Sequence, residues 1–95
     1  MKTEKPSVII IDDEKNILKT MDICFKEMGF QSELYHDPLK AVEAIQNKLF
    51  DLAFVDLKMS PIDGMEVLKE IKYCSPSTTV IIMTAHGSIA NAVQL

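Results

Sequence analysis

The chain has 95 residues, 47% hydrophobic and 25% charged, with a formal net charge of −4 at pH 7. This length allows one small domain, and the composition is that of an ordinary globular chain, which excludes disordered and collagen-like proteins. No apolar run exceeds four residues, whereas a membrane-spanning helix needs about 20, and an acidic segment of this kind is not expected to bind nucleic acid or membranes directly.

Strand-like and helix-like segments alternate along the chain. Short β-branched runs predict strands at 7–11, 31–35, 52–55 and 79–83. Apolar residues at helical spacing predict helices at 14–28, 37–49 and 65–73, with a further helix starting at Ser88. Asp37 and Pro38 have the residue types of an N-cap and a first helical position.

The apolar spacing also predicts which face of each helix is buried. The predicted inward residues are Ile17, Met21, Cys24 or Phe25, and Met28 on the first helix; Leu39, Val42, Ile45 and Leu49 on the second; and Val67, Leu68 and Ile71 on the third. The cysteines lie far apart without metal-ligand spacing, which indicates reduced thiols and a cytoplasmic protein.

This alternation predicts an α/β fold with a doubly wound parallel sheet. The carboxyl ends of parallel strands meet at one edge, and there the sequence places Asp12-Asp13-Glu14, Asp56 and Thr84-Ala85. Clustered carboxylates repel one another unless a cation or raised pKa values relieve the repulsion, and oxygen ligands suit Mg²⁺. An aspartate beside Mg²⁺ can be a nucleophile that forms an aspartyl phosphate. Taken singly, Asp12 or Asp13 could instead cap a helix and Thr84 could be an ordinary strand residue.

The motifs IIIDDE, AFVDLKM, Asp63-Gly64 and IIMTAHGS together resemble the receiver domain of bacterial two-component response regulators. TAHGSIANAV further resembles receivers of the nitrogen-regulation type. The resemblance implies a flavodoxin-like sheet with strand order 2-1-3-4-5, cytoplasmic signalling and an output that regulates transcription. It implies that a sensor histidine kinase donates the phosphoryl group.

The resemblance also assigns the site. Asp56 would be the phospho-acceptor, and Mg²⁺ would be held by Asp12, Asp13, Asp56 and the backbone carbonyl of Lys58. Thr84 would contact the phosphoryl group and act as the switch, and the Ala85 backbone N–H would contact it too.

The sequence departs from the family in two places. Ser60 follows Met59, where the family usually has proline, and Pro61 comes one place later. The family's fifth strand, its lysine and its last helix would lie beyond Leu95, so no catalytic lysine is expected in this chain. The resemblance therefore implies a receiver over 1–95 that ends within its fourth helix, with an output domain or protein beyond Leu95. An exposed fourth strand would then favour self-association or exchange of elements between copies.

Alternative functions remain open at this point. The chain could be a phosphorylation-independent interaction domain that keeps the receiver fold, or a non-functional fragment. An ATPase is disfavoured because no GxxxxGK[ST] segment is present. A phosphatase would usually have an acid where Lys58 stands. We therefore expect no enzyme activity beyond the domain's own phosphorylation and dephosphorylation.

Overall fold

A twisted sheet runs through the molecule, and helices pack on both of its faces. The computed structural model describes residues 5–83 and 89–91. Within these ranges the strands are β1 (Ser7–Ile11), β2 (Gln31–Tyr35), β3 (Leu52–Asp56), β4 (Thr79–Met83) and β5 (Ile89–Asn91). The helices are α1 (Lys15–Glu27), α2 (Pro38–Asn47) and α3 (Gly64–Cys74).

The order of the strands is β2-β1-β3-β4-β5, and the pairs among β1 to β4 are all parallel. This confirms the predicted α/β class and the parallel sheet. The β1 strand lies between β2 and β3, and its residues Val8 to Ile11 have no exposed surface. Complete burial explains why this strand is an unbroken apolar run and not an alternating one.

The side chains of the sheet alternate between two cores. On one face, α2 and α3 cover a core that includes Ile9, Val55 and Val80. On the other face, α1 covers Val8, Ile10 and Phe54. Since each central strand is buried on both faces, a slip of the register by one residue would exchange the two cores.

Local signals fix where two of the helices begin. The Asp37 side chain accepts a hydrogen bond from the Leu39 N–H at 3.0 Å, and Pro38 is the first residue of α2, as predicted. Asp63 caps α3 in a reciprocal arrangement: its side chain accepts from the Glu66 N–H, while the Glu66 side chain accepts from the Asp63 N–H. This capping box fixes the residue at which α3 begins.

The predicted inward faces of α1 and α2 are partly wrong. On α1, Leu18 and Phe25 are buried, whereas Ile17 and Met28 are exposed. Phe25 and the half-buried Met21 were both predicted and pack on the same core, so the error is confined to Ile17, whose place Leu18 takes, and to Met28. The pattern was ambiguous because α1 has apolar side chains on both sides of its buried stripe, and the packing of Phe25 decides between them.

On α2, Ile45 is buried as predicted and Val42 packs half-buried against the same core, but Leu39 is 51% exposed. Leu49, which is 72% exposed, lies beyond the helix, because α2 ends at Asn47. Ala41, which has no exposed surface, lies against the sheet instead. A small side chain lets the helix approach the sheet closely, and hydropathy spacing does not register this effect. The inward face of α3 is confirmed at Val67 and Ile71, and Leu68 is half-buried.

The helix predicted from Ser88 is wrong at residues 89–91, which form β5. This strand pairs antiparallel with β4, with Ile89 opposite Met83 and Asn91 opposite Ile81. The backbone groups at the edge of β4 need hydrogen-bond partners, and a paired strand supplies them where a short helix would not. The prediction of an unpaired β4 edge is therefore wrong over Ile81–Met83, and self-association stays a prediction.

Within residues 5–83 and 89–91, none of the helices has the length and apolar character needed to cross a membrane.

Candidate acidic site at the carboxyl ends of the strands

Three aspartates converge where β1 and β3 end. The strands are parallel neighbours with Ile11 opposite Val55, so Asp12 and Asp56 are the next residues of the two strands at the same edge. One carboxylate oxygen from each of Asp12, Asp13 and Asp56 lies within 4.8 Å of the other two. The structure thus brings together the three predicted carboxylates.

Asp12 is held in place by its own backbone neighbours. Its N–H donates to the Tyr35 carbonyl at 3.1 Å, which extends the β1–β2 ladder by one bond. Its Oδ1 accepts from the Glu14 N–H at 2.8 Å. Glu14 is the N-cap of α1 and no side chain caps that helix, so neither Asp12 nor Asp13 is a helix cap.

The backbone beyond Asp56 is fixed from two sides. The Leu57 N–H donates to the Met83 carbonyl of β4 at 2.8 Å, and the Leu57 carbonyl accepts from the Gly64 N–H of α3 at 2.8 Å. The next N–H, that of Lys58, lies near the Asp56 carboxylate and lowers its pKa. The two Leu57 bonds tie the backbone next to Asp56 to β4 and to the first turn of α3.

The proximity of the carboxylates changes their acidity. Burial raises the pKa of Asp56 to about 6, and the charges of Asp12 and Asp13 add to this effect, while the Lys58 N–H opposes it. Burial also raises the pKa of Asp12, which is only 5% exposed, and its hydrogen bond from the Glu14 N–H opposes that rise. Both shifts show that negative charge at this site is not fully compensated by the protein itself.

The donor set fits a hard divalent cation. It consists of carboxylate oxygens from Asp12, Asp13 and Asp56, with no histidine or thiolate among the three. Mg²⁺ typically binds one or two carboxylates, keeps several waters and shares its remaining positions with a phosphate. The exposed Asp13 leaves one side of the cluster open to solvent.

Lys58 and Met59 border the same site. Lys58 is exposed, and its backbone lies close enough for the N–H to reach Asp56. Met59 is only 8% exposed and packs into the core under α2 and α3. Together with Asp13 and Ser60, both residues line an open depression of about 500 Å³ beside the carboxylates. The two residues predicted to contact the phosphoryl group, Thr84 and Ala85, lie outside the residues that the structure describes.

Two features of the site were not predicted from the sequence, although one of them has a sequence signal. The capping box of α3 has a sequence signal, since Asp63 is followed three positions later by Glu66. The close approach of Gly64 to the backbone of Asp56 has no such signal, because glycine occurs in loops for many reasons.

Comparison with known proteins supports this description. Residues 8–95 match the response regulator receiver domain. The transcriptional regulatory protein ZraR of Klebsiella oxytoca is 35% identical over 94 residues, which are 99% of this chain and 21% of ZraR. The alginate biosynthesis transcriptional regulatory protein AlgB of Pseudomonas putida is 33% identical over 92% of this chain and 19% of its own length. The chain therefore spans about a fifth of these relatives.

Solved structures share the fold. A receiver domain protein from Methanospirillum hungatei superposes with a TM-score of 0.84 at 25% identity, over 90% of this chain and 68% of that one. The response regulator TrrA of Thermotoga maritima, crystallised in complex with Mg²⁺ and BeF, gives a TM-score of 0.79 at 26% identity, over 84% of this chain and 70% of that one.

Fold and site together define a flavodoxin-like α/β signalling domain with a carboxylate cluster at the carboxyl edge of its sheet. The chain belongs to the response regulator receiver domain family. It is a receiver module of the two-component systems, and its curated relatives ZraR and AlgB are transcriptional regulatory proteins.

Proposed function

We propose that Asp56 is the residue that accepts the phosphoryl group in this receiver. The observation that carries the proposal is the position of Asp56 among two other aspartates, with one oxygen of each within 4.8 Å of the others. Asp56 is half-buried, and the residues that follow it, Leu57 to Ser60, line the open depression. Asp12 is more deeply buried and accepts the Glu14 N–H, so it is less available as a nucleophile.

The reaction is a displacement at phosphorus. A carboxylate oxygen of Asp56 attacks the phosphorus of a phosphohistidine on a sensor kinase, and an O–P bond forms as the N–P bond breaks. The bonding electron pair stays on the histidine nitrogen, which takes up a proton from solvent. Asp56 must be ionised to attack, and with a pKa of about 6 it is mostly ionised at neutral pH.

We assign Asp12, Asp13, Asp56 and the Lys58 carbonyl as the residues that would hold Mg²⁺. When bound, Mg²⁺ offsets negative charge on the transferring phosphoryl group. The chain contributes the fixed arrangement: Asp12 is held by the Tyr35 carbonyl and the Glu14 N–H. Support for the Lys58 carbonyl is the fixed position of the preceding residue, Leu57, whose N–H bonds to β4 and whose carbonyl bonds to α3.

We further propose that Thr84 and the Ala85 N–H contact the phosphoryl group. Thr84 follows Met83 directly, and Met83 is the β4 residue opposite Asp56. The Met83 carbonyl also accepts the Leu57 N–H, so β4 ends beside the acceptor. Phosphorylation would then shift a two-state equilibrium through Thr84 and change how the receiver acts on an output domain or protein. Because the relatives regulate transcription, we place this output, and the chain, in the cytoplasm.

Intact-mass analysis after incubation with acetyl phosphate and Mg²⁺ tests the acceptor. We expect the unaltered chain to gain one phosphoryl group that hydroxylamine removes, as an acyl phosphate requires. Asp56→Asn should gain none. Asp37→Asn is the matched control, since Asp37 caps α2 and takes no part in the site. A phosphoryl group on Asp56→Asn, or none on the unaltered chain, would overturn the proposal and favour a phosphorylation-independent interaction domain.

A further inference from the structure

We infer that Gly64 is a positioning residue for the acidic site, because only a residue without a side chain lets α3 begin against the backbone of Asp56 and Leu57. This inference rests on the proposed function, since it concerns how the Asp56 site is held in shape. Gly64 touches neither the carboxylates nor a phosphoryl group, and it acts through the backbone that carries them.

The requirement at Gly64 is one of space. A Cβ at this position would lie 2.4 Å from the Asp56 carbonyl oxygen and 2.8 Å from the Leu57 Cα. Both distances are far below van der Waals contact, and both atoms belong to the backbone, which cannot rotate aside as a flexible side chain can. Gly64 has the dihedral angles of the first residue of α3, so its backbone conformation does not demand glycine.

The segment that the Cβ would displace carries the site. Leu57 connects Asp56 to Lys58, whose N–H lies near the Asp56 carboxylate and lowers its pKa. The Gly64 N–H donates to the Leu57 carbonyl at 2.8 Å, so the same residue that makes room for this segment also binds it. A shift of Leu57 by a few tenths of an ångström would move the Lys58 N–H relative to Asp56.

The helix itself has little freedom to retreat. Its start is fixed by the capping box between Asp63 and Glu66. One and two turns further on, Val67 and Ile71 are 0% and 1% exposed in the core below the sheet. Movement of α3 away from Asp56 would open this core, so an added Cβ is expected to displace the Asp56–Leu57 backbone as well.

Gly64→Ala tests this inference, and Gly29→Ala is its matched control. Gly29 has φ of +91°, which alanine adopts only with strain, but a Cβ there would meet nothing within 4 Å. Gly29 follows the C-terminal end of α1, whereas Asp12 and Asp13 precede its N-terminal end, so the 13 residues of the helix, about 20 Å, lie between them. Both variants lose stability, but only Gly64→Ala should disturb the site.

Two measurements separate the roles in the intact chain. Amide NMR spectra without metal report the environment of Leu57 and Lys58, and calorimetric titration with Mg²⁺ reports the metal affinity. We expect Gly64→Ala to shift both amides and to weaken Mg²⁺ binding about tenfold or more, the range typical of residues that support metal ligands. Gly29→Ala should leave both amides and the affinity unchanged.

Unshifted Leu57 and Lys58 amides together with unaltered Mg²⁺ affinity in Gly64→Ala would overturn the inference. If that variant is largely unfolded, the measurements are repeated on all three proteins in trimethylamine N-oxide, which favours folded states. Failure of the unaltered chain to bind Mg²⁺ would instead overturn the proposed metal site, and the metal-free amide spectra would still decide the role of Gly64.

Discussion

Asp12 and Asp56 end two neighbouring parallel strands, and an oxygen of one carboxylate lies within 4.8 Å of an oxygen of the other. Neither residue has a cationic partner among the salt bridges between described residues. Burial and the neighbouring negative charges raise the pKa values of both. The metal-free site therefore holds more negative charge than its surroundings stabilise, and its response to pH and to cations follows from this imbalance.

The first prediction concerns pH. The pKa of Asp56 is about 6 in the folded protein and near 3.8 in the unfolded chain, so between these values the folded state binds more protons. Protonation of Asp56 therefore favours the folded state. This contribution to the free energy of unfolding is fully present below about pH 4 and is lost as the pH rises through 6, where the folded protein must ionise Asp56. In EDTA, Asp56→Asn should match the unaltered chain at pH 4 and exceed its Tm by a few degrees at pH 7.

The effect is expected to be about 1 kcal/mol or less, because solvent screens the half-buried group, and 1 kcal/mol shifts Tm by roughly 4–8 °C in a domain of this size. Asp37→Asn serves as the control, and its Tm difference from the unaltered chain should not grow between pH 4 and pH 7. A Tm difference for Asp56→Asn that is the same at both pH values would contradict the prediction.

The second prediction concerns Mg²⁺. A cation that binds only the folded state stabilises it by RT ln(1 + [Mg²⁺]/Kd), which is about 1.4 kcal/mol at ten times Kd. The unaltered chain should therefore melt several degrees higher in Mg²⁺ than in EDTA at pH 7.5. Asp13→Asn removes one carboxylate of the cluster but is exposed, so it should fold normally and show a smaller increase. Equal increases in Asp13→Asn and the control Asp37→Asn would show that Mg²⁺ binds elsewhere.

The sequence predicts most of the sheet because strand signals here are local. β1, β2 and β4 have the bounds expected from their apolar runs, and β3 extends only one residue further, to Asp56. The convergence of Asp12, Asp13 and Asp56 was predictable too, since it needs only the rule that parallel strands present their carboxyl ends together.

Features that depend on close packing could not be predicted in this way. The burial of Leu18 in place of Ile17 on α1 is decided by which side chain fits against the sheet. The pairing of β5 with β4 is a contact across the edge of the sheet, and Ser88 gave only a local signal for a helix. The contact between Gly64 and the backbone of Asp56 depends on how two elements meet in space.

The third prediction concerns a buried hydroxyl at the opposite end of the sheet. Thr78 is 2% exposed, and its Oγ1 donates to the Phe50 carbonyl at 2.6 Å and also bonds to the Ser75 hydroxyl at 2.6 Å. Thr78→Val keeps the shape but leaves these groups without a partner, so it should lower the free energy of unfolding by about 1–3 kcal/mol. Thr79→Val, at the exposed neighbouring position, should change it by less than about 0.5 kcal/mol. Urea denaturation measures both, and equal effects would contradict the prediction.

The fourth prediction tests the orientation of α1. The ring of Phe25 meets those of Phe30 and Phe54 edge to face, with centroid distances of 5.2 and 5.7 Å. Phe25→Ala would leave a cavity that costs about 3–5 kcal/mol, a large part of the stability of a small domain, so Phe25→Leu should be measured beside it. Ile23→Ala on the same helix removes a side chain that is 60% exposed and should change stability by less than about 0.5 kcal/mol. Helix propensity favours alanine over isoleucine, so any change in the stability of Ile23→Ala should be small or favourable. A loss of stability in Ile23→Ala comparable to that in Phe25→Leu would mean that the helix is rotated from its position in the structure.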